Sequence, residues 1–217
     1  RLTRTADAKA DALAFQNRLL DLLDVFARKQ SGDALLLKLF KPLLQIVKES
    51  EKDEQQIKNK ASGLLQNRIS KAKEVMKIAS SEEALDALRY IHMEVRDATD
   101  KQLSSLCSNA NLYLTKSLLA AASPSVMPQV SEVYNATLAD FIERKQSSVK
   151  PAFLLDTFQR FPAIGWSLRD QILTACKPGN SARAFRQVQA FQFLQSVLTQ
   201  QVHSVSLPPY TVLTCID

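Results

Sequence analysis

Glycine is nearly absent from this chain: 4 among 217 residues, none of them in a glycine-rich loop. A phosphate cradle, a nucleophile elbow and a dinucleotide fold each need tight glycine turns beside strands. Apolar residues instead recur at helical spacing almost throughout. Such a chain is expected to stack helices and present a surface to a partner rather than enclose a reaction centre.

The helices can be placed by their breaks and caps. From Asp7 to Gln30, Leu13, Phe15, Leu19, Leu20, Leu22, Leu23, Val25 and Phe26 are read as the apolar side of an amphipathic helix. Ser31-Gly32-Asp33 ends it, and Asp33 is a suitable N-cap for an almost wholly apolar helix from Ala34 to Glu49. Pro42 should kink that helix or mark a break near Phe40. Further helices are expected over Gln55–Ile78, from Ser80 or Ser81 to Thr99 behind Glu82 and Glu83, and over Lys101–Ala122 behind the cap Asp100. Ser123-Pro124-Ser125 is a break. Val126–Gln146, Lys150–Arg160, Pro162–Cys176 and Ala182–Val202 follow, with Lys177-Pro178-Gly179-Asn180-Ser181 the strongest turn signal.

This pattern predicts an all-α fold: an irregular HEAT- or armadillo-like helical repeat of roughly nine helices, an α-solenoid, with a compact helical bundle as the alternative. Residues 1–202 read as one helical-repeat domain with a sub-boundary near 123–125, and 203–217 as an extended C-terminal tail containing Pro208-Pro209. An internal echo supports repetition: Asp24-Val-Phe-Ala-Arg-Lys-Gln-Ser31 and Asp140-Phe-Ile-Glu-Arg-Lys-Gln-Ser147 agree at five of eight positions.

Catalytic chemistry finds little footing. His92 lies mid-helix between apolar neighbours and reads as structural; His203 lies at a helix end. Cys107, Cys176 and Cys215 are far apart and odd in number, which argues against a disulfide framework or a zinc cluster. The acids Asp21 and Asp24, Asp53 and Glu54, and Glu82, Glu83 and Asp86 are better explained by helix termini and solvated faces than by a two-metal site. We therefore expect no enzyme activity, no cofactor, no metal and no small-molecule substrate. No apolar run reaches the ~18 residues of a membrane span, and the N-terminus lacks both a signal-peptide core and an initiator Met, as in a fragment of a longer protein.

The basic residues are the functional lead, in a chain of formal charge +6. Lys58, Lys60, Arg68, Lys71, Lys73 and Lys77 face only Glu74, although they do not fall on one helical stripe. From Arg144 onward, Arg144, Lys145, Lys150, Arg160, Arg169, Lys177, Arg183 and Arg186 stand against Asp156, Asp170 and Asp217 and cluster at helix-helix turns, where they can neutralise phosphates. Candidate nucleic-acid contacts are Arg144, Lys145, Lys150, Lys177, Arg183 and Arg186 together with Lys71, Lys73 and Lys77. Phe185, Phe191 and Phe193 accompany them, but their spacing suits a core face at least as well as base stacking.

Four stretches taken together carry a family resemblance: Leu19–Gln30, the apolar helix Leu35–Val47, Leu103–Leu114, and Val133–Gln146 with its Asp-Phe-Ile-Glu-Arg-Lys-Gln ending. Their order and character resemble the C-terminal helical region of the Myb-binding protein 1A / fungal DNA polymerase V (phi) family, over residues 15–175. The resemblance implies a nuclear, nucleolar helical-repeat protein concerned with ribosomal RNA production and ribosome biogenesis. Its implied partners are ribosomal RNA or rDNA-associated factors and pre-ribosomal or transcription proteins. Polymerase activity is not carried over, because no carboxylate constellation supports it, and the long basic tails of such nucleolar proteins are absent. The competing reading is a protein-protein adaptor or transcriptional co-regulator that takes a peptide or helix in its groove without touching nucleic acid.

Overall fold

The computed structural model describes residues 2–98, 100–121 and 126–204, and every regular element among them is helical. The chain divides into two compact units, Arg1–Gln129 and Val130–Asp217. The expected break at Ser123-Pro124-Ser125 lies outside the described residues, as does the expected tail 203–217, with Cys215, except for residues 203 and 204, which are still helical.

In the first unit α1 (Leu2–Lys29) is followed by a tight 3-10 segment (Ala34–Leu39) and α2 (Phe40–Glu49). The carboxylate of Asp33 accepts from the Leu35 amide, the expected N-cap. The expected break near Phe40 is the change from 3-10 to α geometry. It places Pro42 in the first turn of α2, where amide hydrogens have no intrahelical partner and its missing one costs little. A capping box between Glu51 and Glu54 opens a short 3-10 turn (Lys52–Glu54) that leads into α3 (Gln55–Gly63).

The helix expected over Gln55–Ile78 stops early. After Gly63 the chain widens into a π-helical turn (Leu64–Ile69) closed by the Ser70 amide on the Leu65 carbonyl, and residues 70–79 are not helical. Tertiary bonds explain this. The Lys77 amide donates to the Gly32 carbonyl at 3.0 Å, Ser31 Oγ donates to Glu74 at 2.7 Å, and the Tyr113 hydroxyl reaches the Glu74 carbonyl at 3.1 Å. With Met76 buried as well, the segment is held against the α1–α2 turn, and local helix propensity loses.

Ser80 caps α4 (Ser81–Asp97) through the Glu83 amide, and Asp100 caps α5 (Lys101–Ala120) through the Gln102 amide, both as expected. These two helices pack against each other, and α2 contacts both. Leu36, Phe40, Leu44, Leu65, Ile69, Leu88, Ile91 and Leu114 fill the core. His92 is fully buried there, and its Nε2 lies 2.8 Å from Asn111 Oδ1 on α5. An amide oxygen only accepts, so Nε2 carries the hydrogen and the ring bonds as a neutral imidazole. The structural reading of His92 holds.

The helix α6 (Val126–Glu143) leads into the second unit, with α7 (Pro151–Arg160), α8 (Pro162–Ser167), α9 (Arg169–Cys176) and α10 (Ala184–Ser204). Prolines open α7 and α8 at positions that need no amide hydrogen. The single helix expected over Pro162–Cys176 is broken at Leu168, whose amide bonds back to Gly165 in a tightened turn. That break gives ten α-helices among the described residues where nine were expected. Phe193 of α10 stands at the centre of the core, its ring centroid 5.5 Å from Phe141 and 5.8 Å, edge to face, from Phe158. Gly165 is required by packing: a Cβ there would meet Val197 at 2.9 Å and Phe158 at 3.3 Å. Gly179, at φ +83°, supplies the left-handed residue of the Lys177–Ser181 turn.

Candidate nucleic-acid interface and peptide groove

The basic residues separate into two physical kinds. In the first unit Lys58 pairs with Asp100 at 3.2 Å, Lys60 with Asp21 at 2.7 Å and Arg68 with Asp24 at 2.7 Å. These cations tie α3 and the π turn to α1 and to the start of α5, which accounts for Asp21 and Asp24 without a metal. Asp53 likewise pairs with Lys9 at 3.0 Å, which holds its carboxyl below the usual range, and Asp86 pairs with Arg89 at 2.7 Å. Lys71, Lys73 and Lys77 are exposed on the non-helical segment 70–79 and join no ion pair among the described residues.

In the second unit several cations lie around the junction of α6 and α10, while Arg160 closes α7 and Arg169 opens α9. The Ala182 amide donates to the Ile142 carbonyl at 2.9 Å, so the approach to α10 lies against the C-terminus of α6. This brings Arg183 close to Arg144 and Lys145, all three exposed. Lys150, at the N-cap of α7, and Lys177, which opens the turn before α10, are exposed on flanking loops. Arg144 is held by Asp140 at 2.7 Å, while Lys145, Lys150, Lys177 and Arg183 take part in no ion pair among the described residues.

Arg186 is different and corrects the expected set. It is buried, and its guanidinium donates to the carbonyls of Phe141, Arg144 (2.7 Å), Lys145 (3.4 Å) and Ser147 (3.5 Å). These are the orphan carbonyls at the end of α6 and in the turn beyond it, so Arg186 caps a helix rather than facing a partner. Burial pulls its guanidinium below the usual value, with Arg183 and Arg144 adding repulsion and Asp140 opposing it. It stays cationic all the same.

The aromatics are corrected as well. Only Phe193 joins the core; Phe185 and Phe191 are about half exposed. Arg183 and Arg186 each lie over the Phe185 ring at 5.9 Å, so a half-exposed aromatic stands beside these cations. Helical spacing could not separate these phenylalanines, because α10 carries apolar residues on more than one face.

Neither buried thiol is poised to react. Burial pushes Cys107 up to about 12 and raises Cys176, so both stay protonated at neutral pH. No described helix is long and apolar enough to cross a membrane.

A second feature is a groove of about 550 Å³ between α4 and the start of α2 with the 3-10 segment before it. Its floor is formed by Leu37, Pro42, Ala87 and Tyr90, with Lys38 and Lys41 on one wall and Glu83 and Asp86 on the other.

The family described as Myb-binding protein 1A-like, TPR repeats, matches residues 30–207. The chain belongs to that family. Among its relatives are a Myb-binding protein 1A-like protein of Danio rerio, 28% identical over 73% of this chain, and Myb-binding protein 1A of Rattus norvegicus, 26% identical over 85%. Myb-binding protein 1A of Homo sapiens is 26% identical over 71%. The chain spans only 14 to 16% of the length of these relatives. No solved structure matches. Helical repeats are thus both what the sequence pattern predicts and what the Myb-binding protein 1A-like family is described by.

Proposed function

We propose that this chain is a non-enzymatic binding module of a nuclear, nucleolar scaffold that serves ribosomal RNA production and ribosome biogenesis, and that the basic end of its second unit contacts RNA phosphates. The observation that carries this reading is the gathering of Arg144, Lys145, Lys150, Lys177 and Arg183 around the α6–α10 junction, four of them without an ion pair among the described residues. Phe185 beside Arg183 offers one base a stacking surface. Lys71, Lys73 and Lys77 are further exposed cations, on the first unit, that a polyanion could use.

A salt titration of the chain against labelled structured ribosomal RNA, beside a random RNA of equal length, tests the reading. Five neutralised phosphates give a log-log slope of about −3 to −5. Changing Arg144, Lys145 and Arg183 to Glu should weaken binding at least tenfold at physiological salt. A flat salt dependence, or unchanged affinity in the triple variant, would sink the α6–α10 junction as the RNA site.

One observation favours a second reading, a protein-protein adaptor in transcription. The relatives are named for binding a Myb protein, and the α2–α4 groove has the apolar floor and charged rim of a peptide site. Binding of that kind survives high salt, which phosphate-driven binding does not.

A further inference from the structure

The charges around the two clefts of the first unit are disposed differently. The cleft between α1 and α3 is lined by Asp21, Asp24, Lys60 and Arg68, and these already neutralise one another in pairs at 2.7 Å. It offers a ligand little that it does not already hold. Around the α2–α4 groove the charges are not used up across the opening. Lys38 and Glu83 are exposed and join no ion pair among the described residues. Lys41 lies over the Tyr90 ring at 5.4 Å, and Asp86 pairs along its own helix with Arg89. The groove is therefore an apolar floor between a cationic wall and an anionic wall that leave each other unmatched.

Resting on the adaptor reading, we propose that this groove receives a short amphipathic helix from a partner protein. That helix would set one or two apolar side chains against Tyr90, Ala87 and Leu37. It would turn a carboxylate toward Lys38 and Lys41 and a cation toward Glu83 and Asp86. The spacing argues for a helix as occupant. Each wall carries its two charges three residues apart, about one turn, which matches charged pairs at i, i+3 or i+4 on the flanks of a helix docked by its apolar face. The volume, about 550 Å³, lies within the range of sites that enclose a few large side chains. Opposite walls also fix direction: the same helix laid in reverse sets acid against acid and base against base.

Fluorescence anisotropy with three labelled helical peptides of about 15 residues tests this. One carries leucines at i, i+3 and i+7 with glutamates on one flank and lysines on the other. The second carries lysines on both flanks, which no direction of binding can match to Lys38 and Lys41, and the third has serines in place of the leucines. We expect the first to bind at least tenfold more tightly than either control, and Tyr90→Ala to weaken it about tenfold. The decisive variant combines Lys38→Glu and Lys41→Glu, which makes both walls acidic. It should invert the preference toward the second peptide, a gain that a misfolded protein cannot give. If the leucine peptides bind but neither Tyr90→Ala nor the charge reversal changes their order, the groove assignment is wrong and the adaptor reading stands. If no peptide binds, both fall. A concentration-dependent dimer of the chain that Tyr90→Ala dissolves would make the occupant a second copy and overturn the peptide assignment.

Discussion

Arg186→Met is expected to lower the stability of the second unit by about 3 kcal/mol and its melting temperature by about 12–24 °C. The side chain is buried and its guanidinium serves four backbone carbonyls, three of them beyond the last residue of α6. Methionine fills much of the volume but donates nothing, so buried carbonyls lose their partners, each at a cost of about 1–3 kcal/mol if fully orphaned. Arg186→Lys keeps the charge and loses the fork, and should recover less than half of the difference. Thermal unfolding followed by circular dichroism measures both. The outcome also decides what kind of residue Arg186 is: a surface phosphate contact would change stability by no more than about 0.5 kcal/mol and would show its loss in RNA affinity instead.

What could be read from the sequence and what could not differ by distance along the chain. The caps Asp33, Ser80 and Asp100 each bond an amide two or three residues ahead, so local spacing found them. The end of the expected helix over Gln55–Ile78 was hidden because Gly32, Ser31 and Tyr113 hold residues 74–77 from 39 to 45 positions away. Arg186 was hidden for the same reason, since its burial depends on α10 reaching back to carbonyls 39 to 45 residues earlier.

The internal echo was legible in sequence, and the structure gives it physical content. In both copies an aspartate pairs with an arginine four residues on at a helix end: Asp24 with Arg28 at 4.0 Å, and Asp140 with Arg144 at 2.7 Å. In both, an arginine from a later element returns to that end. Arg68 comes from 44 residues beyond Asp24 and Arg186 from 42 beyond Arg144. Arg68 takes the carboxylate and stays exposed, whereas Arg186 takes the carbonyls and is buried. One helix-end arrangement thus serves as a surface ion pair in one unit and as a buried cap in the other. The exposed basic cluster of the second unit is assembled around that cap, so the cap positions the candidate RNA surface without belonging to it.

His92 should make the first unit sensitive to mild acid. Burial lowers its pKa from 6.5 to about 3; the bond to Asn111 raises it less than burial lowers it, and Arg96 adds a smaller repulsion. Between these two values the unfolded chain takes up a proton that the folded chain refuses. Stability is therefore complete above about pH 6.5 and declines as pH falls toward 3, at up to about 1.4 kcal/mol per pH unit. By pH 5 the loss is about 2 kcal/mol, before carboxylates such as Asp100, held low by the Gln102 amide and by Lys58, begin to contribute. Urea midpoints at pH 7, 6 and 5 follow the effect, with His92→Gln as the comparison. Glutamine can still donate to Asn111 but does not titrate, so that variant should start less stable from imperfect packing and then lose almost nothing between pH 7 and 5. A variant with the same pH slope as the parent would place the acid sensitivity elsewhere. The expected divergence would show that the neutral imidazole joining α4 to α5 works as a structural bond, and that it fails by protonation of the unfolded chain rather than of the native core.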